Sequence, residues 1–160
     1  MTMREILFRA KTEPCCKDVI TGEILEKPKW IYGYIDLGYM RDGQGAIISD
    51  EKGNKAYRCQ YSTIGQYIGQ TDKNGEKIFE GDILQYFDDE IQVVEWSDEW
   101  SQIMLHTYGE HERKIGRKIV KEKFEGWNFL NEYPLEDMPK IGNIHDNPEL
   151  LEGGQNNAIT

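Results

Sequence analysis

The sequence predicts a mainly β protein: a small antiparallel barrel with an additional N-terminal β subdomain and a short C-terminal helical turn. Three observations predict it. Short apolar and aromatic runs, among them KWIYGYIDL, ILQYF and IQVVEW, recur along the chain. Polar turn signals such as EKGN, NG, GD and DDE separate them by a few residues each. The length of 160 residues suits one small domain with an appended subdomain. Strands joined by such short turns pair with their neighbours and close on themselves as a barrel.

Ile6, Leu7 and Phe8 form an apolar run between charges and are the candidate first strand. Residues 11–29 are polar, contain Pro14, Thr21-Gly22 and Pro28, and read as a loop. In residues 29–37, Trp30, Tyr32, Tyr34 and Asp36 fall on one face of a strand, and Ile31, Gly33, Ile35 and Leu37 on the other. Residues 46–49 and 55–60 read as two strands of a hairpin turning at 51–54. Tyr67-Ile68 and 77–79 flank Asn74-Gly75, whose tolerance of positive φ predicts a type I′ hairpin turn. Gly81-Asp82 bends the chain into a strand over 83–87. After Asp88, Asp89 and Glu90 its antiparallel partner follows over 91–96. Residues 103–105 form a further strand, and 141–144 a last short one. Residues 110–125 are charge-rich and fit either a helix or an extended edge. Gly116 costs a helix about 1 kcal/mol relative to Ala. Asn147-Pro148-Glu149 carries the order of an N-cap, first-turn Pro and first-turn acid, and predicts a short terminal helical turn. Residues 153–160 read as a disordered tail.

Nineteen basic and 29 acidic side chains leave a formal charge of −10, which repels phosphate backbones and disfavours plain duplex binding. Three cysteines, Cys15, Cys16 and Cys59, lack metal-site spacing and read as free thiols of a reducing cytoplasm. No apolar run approaches the ~20 residues of a membrane helix, and no membrane partner is expected.

Several clusters invite a chemical reading. Asp72, Asn74 and Gly75 are weighed as a calcium loop, but the glycine falls at the fourth position rather than the sixth. Glu80, Asp82, Asp88, Asp89 and Glu90 crowd one strand, a pattern that suits a divalent cation or acid–base work. At a turn, acids also occur for local reasons. His106, His111 and His145 sit in no metal or nucleophile frame. No catalytic residue, metal site or cofactor is assigned, and the chain is expected not to be an enzyme. The binding candidates are of two kinds. Arg113, Lys114, Arg117, Lys118, Lys121 and Lys123, against Glu122 alone, give residues 113–123 a charge of +5, so the remainder carries −15. On a helix Lys114, Arg117, Lys118 and Lys121 would share a face. Such a patch suits nucleic acid or an acidic partner, while its bland reading is a solvated face or pairing with acidic segments of a sister subunit. Trp30, Tyr32, Tyr34, Trp96 and Trp100 are the aromatic candidates, for a ligand surface, core or subunit interface.

MREILFRAK, WIYGYI, TIGQYIGQTDKNGEKIFEGDIL, VVEW and GNIHDNPELLE together resemble the YopX family of phage and prophage proteins, over a span from Met3 to Glu152. Ala10 follows Arg9 where the family often has Arg-Gly. The resemblance implies a phage or prophage gene, the cytoplasm of a bacterial host and an SH3-like form for the barrel. It implies no catalytic residues. The expected organisation is an N-terminal β subdomain over 1–62, an SH3-like barrel over 63–152 and a tail over 153–160. The expected function is a non-catalytic binding module that forms a homo-oligomer and engages a host or phage macromolecule. The rivals are a nucleic-acid-binding protein using 113–123, an acidic DNA mimic that occupies a host DNA-binding protein, and a metal-dependent hydrolase or nuclease built on the carboxylates of 80–90.

Overall fold

In a computed structural model of the chain, residues 3–36, 45–88 and 90–152 are described. Two compact units, Met1–Gly69 and Gln70–Thr160, divide it. Leu37, Asp89 and the tail over 153–160 lie outside the described residues, as do the readings made for them.

The first unit is an antiparallel sheet in the order β6-β5-β4-β1-β7. Its strands are β1 (Phe8–Lys11), β4 (Trp30–Asp36), β5 (Gly45–Asp50), β6 (Ala56–Gln60) and β7 (Gly65–Thr71), the last running into the second unit. The alternation expected of β4 holds: Ile31 is buried, whereas Tyr32 and Tyr34 are exposed. Ile31, Ile48, Tyr57, Ala10, Cys16 and Cys59 form the core. The expected hairpin over 46–60 is β5–β6.

Two readings of this unit need correction. The first strand starts at Phe8 and ends at Lys11, not over Ile6–Phe8, because residues 8–11 are the ones that pair with residues 33–30 of β4. A buried arginine hides a strand from a hydropathy reading; here the guanidinium of buried Arg9 lies 4.7 Å from the centre of the Trp30 ring. Residues 11–29 are more than a loop, since they contain the ladder β2 (Cys16–Lys17) with β3 (Ile24–Leu25). Asp18 ties this excursion down. Its carboxylate accepts from Ile20 N, the Thr21 hydroxyl and, from the sheet, Ala56 N at 3.1 Å. Burial raises its pKa, but these hydrogen bonds win and hold the carboxyl down at about 2.

The second unit holds β8 (Lys77–Phe79), β9 (Asp82–Phe87), β10 (Glu90–Ser97), β11 (Gln102–Ile115), β12 (Lys118–Asn128), β13 (Lys140–Asn143) and the single-turn helix α1 (Glu149–Glu152). Five of the strands form one antiparallel sheet in the order β12-β11-β10-β9-β13. This sheet is open, with β12 and β13 at its edges, so no closed barrel forms among the described residues. Adjacent Val93 and Val94 of β10 are both buried, so both faces of the sheet are covered there. Ile78, Phe79, Ile83, Leu84, Met104, Leu105, Leu135 and Met138 complete the buried apolar set of this unit.

The turn at 72–76 is a hairpin turn, but not of type I′. Of its residues Gly75 alone has positive φ, at 76°, and Asn74 stays outside the left-handed region. Gly75 N donates to Asp72 O and Asp72 N to Glu76 O, the pattern of a turn followed by a glycine bulge. Gly81 has φ 88° at the bend into β9, as expected. At the C-terminus, Asn147 does not cap α1: its Oδ1 accepts from Asn143 N at 3.2 Å, closing the loop behind β13. No helix among the described residues is long and apolar enough to cross a membrane.

Candidate interaction surface

The segment left open between helix and edge is extended. β11 and β12 form a long hairpin whose two-residue turn has Gly116 at φ 62° and Arg117 outside the left-handed region, which fits a type II′ turn. β10 ends its pairing with β11 at Glu90↔Gly109. Beyond that point, among the described residues, 110–115 and 118–123 pair only with each other. Six residues per strand carry this ribbon about 20 Å past its neighbour.

A strand places the basic residues differently from a helix. The ladder pairs Glu110↔Lys123, Glu112↔Lys121 and Lys114↔Ile119 on one face, and His111↔Glu122, Arg113↔Val120 and Ile115↔Lys118 on the other. The helical face of Lys114, Arg117, Lys118 and Lys121 therefore does not exist: Lys114 and Lys121 share one face, Lys118 lies on the opposite one, and Arg117 sits in the turn. Glutamates moderate part of the charge. Glu122 lies 3.3 Å from His111 Nε2 and 3.7 Å from Arg113 Nη1, and Glu110 lies 4.0 Å from Lys123 Nζ. Such exposed pairs each contribute about 0–1 kcal/mol. Lys114, Arg117, Lys118 and Lys121 make no ion pair among the described residues. Interleaved with them, Ile115, Ile119 and Val120 are exposed, Ile119 at 66%.

At the base of the ribbon stands a cluster that sequence reading did not find. His106 pairs across the ladder with Trp127, and their rings stack at 4.2 Å. His106 Nδ1 lies 2.9 Å from Glu95 Oε2 and 2.8 Å from the Tyr108 hydroxyl, and Nε2 lies 2.5 Å from Glu125 Oε1. Burial, with the nearby charges of Glu95 and Glu125, pushes the Tyr108 phenol up to about 12. His106, Glu95, Tyr108 and Glu125 thus meet on the face that carries the Trp127 ring. The signal was present as period-two spacing, His106 and Tyr108 against Lys123, Glu125 and Trp127, but it is visible only once this segment is taken as extended. On the opposite face, Thr107 donates to buried Gln92, Asn128 donates to Thr107, and both Gln92 and Tyr133 donate to Glu90.

The aromatic candidates fall into two groups. Trp30 packs under Arg9, and Tyr32 and Tyr34 follow it on the outer face of β4, all in the first unit. In the second unit Trp96 is 53% exposed, with its Nε1 donating to Asp98, and Trp100 meets Phe129 edge-on at 5.6 Å. Of the described carboxylates of 80–90, Asp82 and Glu90 lie at opposite ends of β9. Asp82 is buried at the start of β9, accepting from Phe79 N at 2.8 Å and facing Lys140 Nζ at 3.4 Å. Glu90 lies beyond the far end of β9, in the network with Gln92 and Tyr133. No three His, Cys, Asp or Glu side chains gather as a metal set among the described residues. Asp72 serves its own turn, accepting from Asn74 N, Glu76 N and Lys140 N. The thiols are unbridged, and burial pushes the Cys59 thiol up to about 12.

Compared with known families, residues 26–152 match the family described as YopX protein. The chain belongs to the YopX family. The matched part of this YopX-family chain contains the whole β11–β12 ribbon and the His106 cluster, whereas MREILFRAK lies before it. No curated protein matches the chain.

Proposed function

We propose that this YopX-family protein is a non-catalytic interaction module, of phage or prophage origin and acting in the host cytoplasm, whose working surface is the β11–β12 ribbon. The observation that carries this reading is the ribbon's exposure. A lone two-stranded ribbon is marginally stable in water, yet this one leaves Ile115, Ile119 and Val120 in solvent. Its basic residues stand out on a chain that is otherwise at −15, so its natural counterpart is acidic and partly apolar. A second copy of the chain meets both conditions, which supports a homo-oligomer. What supports an SH3-like reading of the second unit is its five antiparallel strands, with β13 returning to β9.

The test is a variant in which residues 109–124 are replaced by a two-residue turn. It is expected to melt cooperatively, because the apolar core of the sheet lies outside the deletion, and to lose self-association in light scattering. A shortened protein that assembles like the parent would refute the reading.

Nucleic acid is the second reading, and one observation favours it: a two-stranded β-ribbon with a basic tip has the dimensions to enter a major groove. Filter binding across a salt series decides this one, since phosphate contacts weaken steeply as salt rises. Absence of binding at low salt removes it. An acidic surface that mimics DNA would instead retain a host DNA-binding protein in a nucleic-acid-free pull-down.

A further inference from the structure

The ribbon reading leaves open which element of the ribbon makes the contact and in what register. β12 is an edge strand, and among the described residues its outer side pairs with no strand. Eleven residues of unpaired edge are a template for another strand. Lysines often blunt such an edge, but on β12 they alternate with their complements. Lys121, Lys123, Glu125 and Trp127 lie along one face, with Phe124 among the residues of the other.

We propose that β12 pairs antiparallel with β12 of a second copy across a two-fold axis at Phe124, joining two five-stranded sheets into one. This deepens the reading of the ribbon as an interaction surface and rests on it. In a symmetric antiparallel pair, residues equidistant from the axis face each other on the same side of the sheet. Centred on Phe124, the two phenylalanines meet. Lys123 faces Glu125 of the second copy, and Glu125 faces its Lys123. Lys121 comes opposite Trp127, whose ring is already held by His106 and offers a π-face to a cation. Glu122 meets Gly126 and Val120 meets Asn128, so no like charges are opposed. Registers one or two residues away lack the combination of paired Lys and Glu with no like charges opposed: centring on Gly126 opposes none but pairs no lysine with a glutamate. Centring on Lys121, Lys123 or Glu125 sets that residue against itself, and centring on Glu122 opposes Glu122 to Glu122 and Lys121 to Lys123. Like charges directly opposite destabilise a sheet pair. Glu125 uses one oxygen for His106 and keeps a second for the lysine, and the intrachain contact of Lys123 with Glu110 is long at 4.0 Å.

Charge reversal tests the register. Lys123→Glu places glutamate opposite Glu125, and Glu125→Lys places lysine opposite Lys123, so each variant alone is expected to weaken self-association by about tenfold or more. Mixed in equal amounts, the two become complementary at both positions and are expected to re-associate. Independently, Phe124→Cys in a Cys15→Ser background is expected to form a disulfide dimer under mild oxidation, because directly opposed residues have Cα atoms about 4.5–5.5 Å apart. Sedimentation and non-reducing gels read both experiments, with melting curves of each variant confirming the fold. If the parent assembles but the mixture fails to re-associate and the Phe124→Cys variant fails to cross-link, this pairing is wrong while the ribbon can still be the contact, as the 109–124 deletion reports. If the parent is monomeric at tens of micromolar, the pairing and the homo-oligomer both fall, and the salt series tests the ribbon against nucleic acid.

Discussion

The turns at 72–76 and 116–117 each carry a glycine in the left-handed region, Gly75 at φ 76° and Gly116 at φ 62°, yet one is gripped from inside the unit and the other projects. At the first, buried Asp72 accepts from Asn74 N and Glu76 N of its own turn and from Lys140 N, far along the chain. At the second, residues 111–121 are exposed throughout, and among the described residues the strands on either side of the turn pair only with each other there. A glycine therefore tells where the chain reverses, and a neighbouring carboxylate with long-range backbone partners tells whether the reversal belongs to the scaffold. Asp18 repeats the first design in the other unit, joining a local turn to Ala56 N of the sheet.

The strongest test of this contrast is Asp72→Ala. It strips a buried carboxylate from three backbone N–H groups and should cost about 2–4 kcal/mol in denaturant unfolding. A loss below about 0.5 kcal/mol, the range of an inconsequential surface change, would mean that the turn is not anchored through Asp72.

Acid should act through the same anchors. Burial raises the pKa of Asp72, but its backbone hydrogen bonds outweigh this and leave it below the ordinary value. Asp18 is held at about 2. For carboxyls depressed in the folded state, the stabilisation is complete above the unfolded value near ~4 and is lost as pH falls toward the folded value. Urea midpoints should therefore fall between about pH 4 and 2, with a shallower fall in Asp72→Asn, which has one titrating anchor fewer. Equal slopes in parent and variant would deny Asp72 this role.

The smallest effect belongs to the ribbon. Gly116→Ala places a Cβ at φ 62° in open space, and the conformational cost is about 1 kcal/mol or a little more. Because the ribbon contributes little to the core, amide exchange should quicken within residues 110–123 while the global melting temperature barely moves. A large fall in melting temperature would show that the ribbon is part of the cooperative fold, and the contrast drawn above would fail.

Much of this was readable from the residues alone. KWIYGYIDL declared its outer aromatic face, and the polar breaks after 50 and 87 marked hairpins. In each case period-two alternation and local turn chemistry act over a few residues, so they survive in a one-dimensional reading. The misses have physical causes too. Arg9 is a charge buried beside Trp30, so its strand does not look apolar. Asn74 promised positive φ, but Asp72 selected a different turn. The candidate surface was only half legible: its basic residues stood out by composition, while their division between two faces depended on a choice of period.

By itself, then, the sequence determined that the chain would be mainly β, that it would reverse near 51–54, 74–75 and 88–90, and that residues 113–123 would be basic on an acidic chain, because these follow from side-chain identity and near-neighbour sterics. Tertiary structure alone decided that the β11–β12 ladder outruns β10, that β12 ends up as an open edge, and that His106, Glu95, Glu125 and Trp127 meet at its base. Those outcomes depend on strand register and on pairings across many residues, for which local propensity carries no information.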